Sequence, residues 1–233
     1  MPRLVLTPVP GEGTRAWPAL LAVADSLGSV RAAIAAGADI IDLGDARPAD
    51  IAAFRAAAPD VPFCGTHDRA ALTWQAASAR TGDAALICPD LASARASGLP
   101  ADRVLILVPP AGIAAVARAG YAAIVDADQA AADAVNSADT ASSTNTANYA
   151  DTPSPADTPS PADAPSPADA ADIAAVSPGS AEVAGCVAAA ALSSWLGAAL
   201  IRTRHPLQVR RALDMAATIK GTRLPARTVR GLA

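Results

Sequence analysis

The chain has 233 residues, of which 52% are hydrophobic and 17% charged, with a formal net charge of -4. That length and apolar content suit one sizeable α/β domain, and the mild acidity gives no reason to expect nucleic acid or an anionic membrane as partner. Aromatic residues make up only 3%, so the core must be built from Ala, Val, Leu and Ile, and the three widely spaced cysteines (Cys64, Cys88 and Cys186) read as buried small hydrophobes, not as a disulfide framework or a zinc site.

The first apolar run, residues 4–6, is either an extra stave or half of a capping hairpin. The hairpin is favoured, because no helical segment separates this run from the next one. Buried strands are then expected at 19–24, 39–43, 61–64, 84–88, 104–108 and 122–125, each a short run rich in Val, Ile and Leu. Ala- and Arg-containing segments with helical spacing lie between them, at 29–36, 49–58, 69–80, 91–97 and 112–119. Several stop at a glycine (Gly37, Gly82, Gly98 or Gly120), as a left-handed C-cap requires. Strands alternating with helices mean a parallel sheet, and a repeat of roughly 20 residues favours a closed (β/α) barrel.

From 136 to 172 the composition changes. ADTPSP occurs twice, followed by ADAPSP, with almost nothing apolar to bury, so this stretch reads as a disordered Pro/Ser/Ala/Asp linker. Residues 180–195 then form an Ala-rich helix, 200–203 a strand, and 207–219 a helix with Val209, Ala212, Leu213 and Ala216 on one face. A basic tail closes the chain. Residues 1–135 and 173–233 are thus two parts of one barrel of the (β/α) type, interrupted by the linker. Seven strands follow from the count, so the barrel is expected to be incomplete or distorted. No apolar run is expected to reach the ~18 residues of a membrane span, and the start lacks a signal-peptide core, which implies a cytoplasmic protein.

In such a barrel the carboxyl ends of the strands form the functional rim. Read in order, they carry Asp25, then Asp42 with Asp45 and Arg47, then His67, Asp90, Asp126 with Asp128, and finally Arg202, Arg204 and His205. Arg47, Arg202 and Arg204 are candidates for a fork that binds a phosphate or carboxylate. Alternatively, Arg202 pairs with Asp42 or Asp126 across the mouth. Asp25 and Asp42 suit helix caps or ligand hydrogen bonds equally, and His67 is a candidate base without an assigned partner.

GADIIDLGDARP at residues 37–48 resembles the second-strand motif of dihydropteroate synthase. SGLPADRVLILVPPAG is similar to the approach to that family's sixth strand, GYAAIVDAD to its seventh, and LGAALIRTRHPLQVRRALDMAATI to its last strand and helix. The ending RTVRGLA is similar to that of the second, inactive paralogue of actinobacteria. The resemblance implies a barrel enzyme of folate biosynthesis, a transferase that joins p-aminobenzoate to a pterin carrying pyrophosphate, assisted by Mg²⁺, and a homodimer.

Site residues depart from the family pattern. The position of the metal-associated asparagine carries Ala22, and that of the pterin-binding aspartate Thr66. The fourth-strand asparagine falls on Cys88, the sixth-strand aspartate on Val108, and the lysine near Ala130. The family's fifth strand has no counterpart before the segment at 104–108. Each lost buried partner costs roughly 1–3 kcal/mol, and several together exceed the ~8 kcal/mol of a micromolar ligand. The expectation is a catalytically degenerate homologue with no cofactor, keeping a residual site for a small anion. The alternatives are an active synthase, which would then need Mg²⁺, and another barrel enzyme acting on a small phosphorylated substrate.

Overall fold

Alternating apolar runs and glycine-terminated helices close here into a barrel. The computed structural model describes residues 18–44, 46–65, 72–74, 84–145 and 178–223. Its strands are β1 (Ala19–Val23), β2 (Ile40–Asp42), β3 (Phe63–Cys64), β4 (Leu72–Trp74), β5 (Ala85–Cys88), β6 (Val104–Leu107), β7 (Ala122–Asp126) and β8 (Leu200–Thr203). All eight are parallel and pair in chain order, and β8 returns to β1 through the register Leu21 to Arg202. The described helices are α1 (Leu27–Ala35), α2 (Pro48–Ala57), α3 (Leu91–Ala96), α4 (Ile113–Arg118), α5 (Ala127–Asn145), α6 (Pro178–Leu196) and α7 (Pro206–Ile219).

The seven-strand expectation needs correcting. Ala85–Cys88 is the fifth strand of the barrel and pairs directly with β6 through Leu86 and Val104, so the expected loss of a fifth strand is not seen and the strand that sequence reading missed is the fourth. That strand, Leu72–Trp74, lies inside a segment whose spacing suggested a helix. The barrel is therefore complete in strand number but uneven, since β3 has 2 residues and β4 has 3. Residues 4–6 and the rest of 69–80 lie outside the described residues.

Strand alternation sorts the apolar residues into layers. Leu21, Ile40, Ile87, Leu105, Ile124 and Leu200 fill the barrel, with Cys64, Ala85 and Ala122 as small neighbours. The alternate positions face the helices. Cys88, Ile106, Val125 and Ile201 pack against Ile113, Val116, Cys186, Val209 and Leu213. Ala22, Ile41 and Phe63 pack against Val30 and Phe54 of α1 and α2. Gly37, Gly98 and Gly120 follow α1, α3 and α4 with positive φ, the conformation expected for helix-stopping glycines.

Strands β7 and β8, on either side of the linker segment, pair through Asp126 and Arg202, so the two flanking parts make one barrel. Helix α5 continues to Asn145, beyond residue 136 where composition places the start of the linker. Residues 146–177 lie outside the described residues. The expectation about apolar length also changes, because Gly179–Leu196 of α6 is long and apolar enough to cross a membrane by length and composition. In the fold it packs against α5, α7 and β8.

Candidate functional site at the barrel mouth

The strand-end residues divide according to the parity of their strands. Asp42 lies two positions beyond Ile40, Asp126 two beyond Ile124, and Arg202 two beyond Leu200. Each of these predecessors points into the barrel, so all three charged groups form the next inward layer. Arg202 Nε donates to Asp42 Oδ2 at 2.9 Å. Its Nη1 donates to Asp126 Oδ2 in a short ion pair. Asp42, 1% exposed, also accepts the Gly44 N–H at its Oδ1, 3.0 Å away. Burial works against the Arg202 charge, but the hydrogen bond and charge of Asp42, joined by Asp126, outweigh it and raise the pKa above the usual arginine value.

A second cluster lies beside this layer on the outer side of β8. Thr203 alternates outward and donates through Oγ1 to Asp128 Oδ1 at 2.9 Å. Cys186 Sγ of α6 donates to the same carboxylate at 2.9 Å and lies 3.2 Å from Thr203 Oγ1. The other oxygen of Asp128 accepts the Arg204 N–H at 2.8 Å. Burial, reinforced by the hydrogen bond to Asp128, pushes the Cys186 thiol up to about 12. At neutral pH it is a fixed neutral donor, not a nucleophile.

The arginine fork expected from sequence gives way to separate pairings. Arg202 is held by Asp42 and Asp126, which is the alternative of pairing across the mouth. Arg47 turns to Asp50 in α2, with Nε 2.8 Å from Oδ2 and the side chain 82% exposed. That hydrogen bond raises its pKa. The Arg204 side chain is exposed. Asp25 stands beside the α1 cap formed by Ser26 and Ser29 and accepts from Ser29 Oγ at 3.2 Å. Asp90 is a helix cap, held below the usual carboxylate range by the Ser93 N–H. Asp45, Thr66 and His67 lie outside the described residues.

Asp126 and Asp128 were visible as strand-end carboxylates, but their assignments were not. Thr203 and Cys186 carried no sequence signal. One sits next to a conspicuous arginine and the other in an Ala-rich helix. Parity would have marked Thr203 as outward-facing once the span of β8 was known.

Mg²⁺ does not fit the described residues. Ala22, at the position the resemblance gives to the metal-associated asparagine, offers no donor and is buried against α1 and α2. Among the described residues no group of three or more His, Cys, Asp or Glu is placed to hold a metal. Cys88 faces the helix layer, as does the partly buried Val108.

No protein-family model matches the chain. A curated relative, the inactive dihydropteroate synthase 2 of Mycobacterium leprae, is 49% identical over 49 residues. That match spans 21% of this chain and 17% of the relative. Solved structures align over nearly the whole chain. Rv1207 of Mycobacterium tuberculosis has a TM-score of 0.54 at 17% identity, covering 90% of this chain and 95% of its own. The dihydropteroate synthase of Coxiella burnetii, solved with pteroic acid, has a TM-score of 0.56 at 12% identity, covering 88% and 94%. The dihydropteroate synthase of Yersinia pestis has a TM-score of 0.57 at 12% identity, covering 88% and 93%. In fold, and over the matched stretch in sequence, the chain is dihydropteroate synthase-like. At the mouth of this dihydropteroate synthase-like barrel, Asp42 and Asp126 are both engaged by Arg202.

Proposed function

We propose that this chain is a catalytically degenerate dihydropteroate synthase-like protein of the cytoplasm, one that does not condense pterin pyrophosphate with p-aminobenzoate. One observation carries the reading: Arg202 binds both Asp42 and Asp126. A polar heterocycle needs a partner for each buried donor and acceptor. Among the described residues, the two carboxylates facing the barrel interior at the mouth, Asp42 and Asp126, are both occupied by Arg202. The local similarity to an inactive relative supports the same conclusion.

A residual anion site would require Arg202 to exchange two carboxylates for the ligand. The exposed Arg204 is the cation best placed to attract one. The homodimer implied by the resemblance belongs to this reading, with sedimentation velocity as its test.

The decisive assay incubates the full chain with pterin pyrophosphate, p-aminobenzoate and Mg²⁺ and measures pteroate. None is expected. Turnover abolished by Asp42→Ala would overturn the reading. Calorimetry with pyrophosphate tests the residual anion site separately.

A further inference from the structure

Asp126 belongs to two assemblies at once. Its Oδ2 pairs with Arg202. Its Oδ1 caps α5, accepting the backbone N–H of Asp128 at 3.1 Å and of Gln129 at 3.1 Å. Asp128, positioned by that cap, directs its own carboxylate to Cys186 of α6, Thr203 of β8 and the Arg204 N–H. Thr203 Oγ1 also accepts the N–H of His205, the residue preceding α7, at 2.9 Å. One continuous network therefore runs from Asp42 through Arg202, Asp126 and Asp128 to α5, α6 and α7.

Helix α5 packs along α6 and also meets β7 and β8. Ala127 and Ala131 are buried, but 132–137 are all exposed. Its fully buried side chains are thus concentrated near its start, where the Asp126 cap and the Asp128 hydrogen bonds also lie. We propose that the seating of α5 against α6 and β8 and the engagement of Arg202 by Asp126 are a single event, a latch that opens or closes the barrel mouth and the α5–α6 contact together. The physical cause is shared occupancy. Unseating α5 removes three donors from Asp128, and unwinding its first turn removes two backbone donors from Asp126, so both carboxylates lose partners in a poorly solvated setting. Conversely, removing Arg202 leaves Asp126 uncompensated next to Asp42, which weakens the cap that seats α5. Coupling of this kind is reciprocal.

Cys186 reports the latch because its thiol is hydrogen-bonded to Asp128 of α5, whereas Cys64 and Cys88 are buried elsewhere in the barrel wall. The test labels the full chain with iodoacetamide and follows each cysteine by mass spectrometry. Arg202→Met touches neither hydrogen-bond partner of Cys186, yet it should speed Cys186 labelling between about fivefold and 150-fold. Cys64 and Cys88 should keep their wild-type rates. Labelling of Cys186 that stays at the wild-type rate, or that rises in step with the other two cysteines, overturns the latch. Asp128→Asn provides an independent arm should Arg202→Met not fold. It should speed both Cys186 labelling and hydrogen exchange at the Gln129 amide. Faster labelling with an unchanged Gln129 amide also overturns the proposal, since it reduces the network to a local contact.

Discussion

Arg202 on β8 and Asp42 on β2 meet across the intervening strand β1, Nε to Oδ2 at 2.9 Å, although 160 positions separate them in the chain. With Asp126 hydrogen-bonded to the same guanidinium, the barrel mouth is bridged by one cation between two anions. Opposite charges in this partly dry layer attract strongly, but the larger effect is what removal leaves behind. An unpaired buried carboxylate costs more than the intact pair contributes.

Replacing Arg202 by Ala is therefore expected to destabilise the fold by about 3 kcal/mol, measured by urea unfolding. It also leaves a cavity of guanidinium shape between two carboxylates. Millimolar methylguanidinium should raise the melting temperature of Arg202→Ala and leave the wild type unchanged. Equal effects on both proteins would show that the two carboxylates do not share a single site.

The Cys186 thiol predicts a pH dependence. Its folded pKa is raised to about 12, above the ~8.5 of an unfolded cysteine. The stabilisation is complete below the unfolded value and is lost as pH rises toward the folded one, because only the unfolded thiol ionises in that window. Unfolding free energy of the wild type should fall between about pH 9 and 12 by on the order of 3 kcal/mol more than that of Cys186→Ala. Parallel curves for the two proteins would contradict this.

At the opposite end of the barrel, Asp39 Oδ2 accepts both the Leu20 N–H at 2.9 Å and Arg210 Nη2 at 2.6 Å. Arg210 also donates to the Gly37 carbonyl. This ties α7 to the start of β2 and helps close the sheet. Arg210→Met should cost about 1–3 kcal/mol, and Arg210→Lys should recover only part, because one ammonium cannot reproduce the planar fork. Thermal unfolding of both variants measures the difference.

Gly112 gives a packing test independent of charge. A Cβ there would lie 2.9 Å from Val108 Cβ, the branch point of a stiff side chain. Gly112→Ala should cost about 1–3 kcal/mol by overpacking. Trimming the neighbour in Gly112→Ala/Val108→Ala should restore part of that loss.

Much of the architecture was legible because its signals are local. Ile40-Ile41-Asp42 and Leu200-Ile201-Arg202-Thr203 are apolar runs with a charge at the end, and Gly37, Gly98 and Gly120 terminate helices through a backbone conformation that other residues avoid. β4 was not legible. Leu72-Thr73-Trp74 sits among alanines whose spacing favours a helix, and its strand state comes from pairing with Cys64 and with Ala85 through Ile87. Tertiary context overrode propensity there.

At the mouth, sequence by itself determined which charged residues stand at strand ends. Only the tertiary structure decided that Arg202 would bind Asp42 and Asp126, while Arg47 turned away to Asp50. The reason is physical: side-chain parity along a strand has a period of two residues and is written locally, whereas the partner across a barrel depends on how eight strands are staggered when the sheet closes.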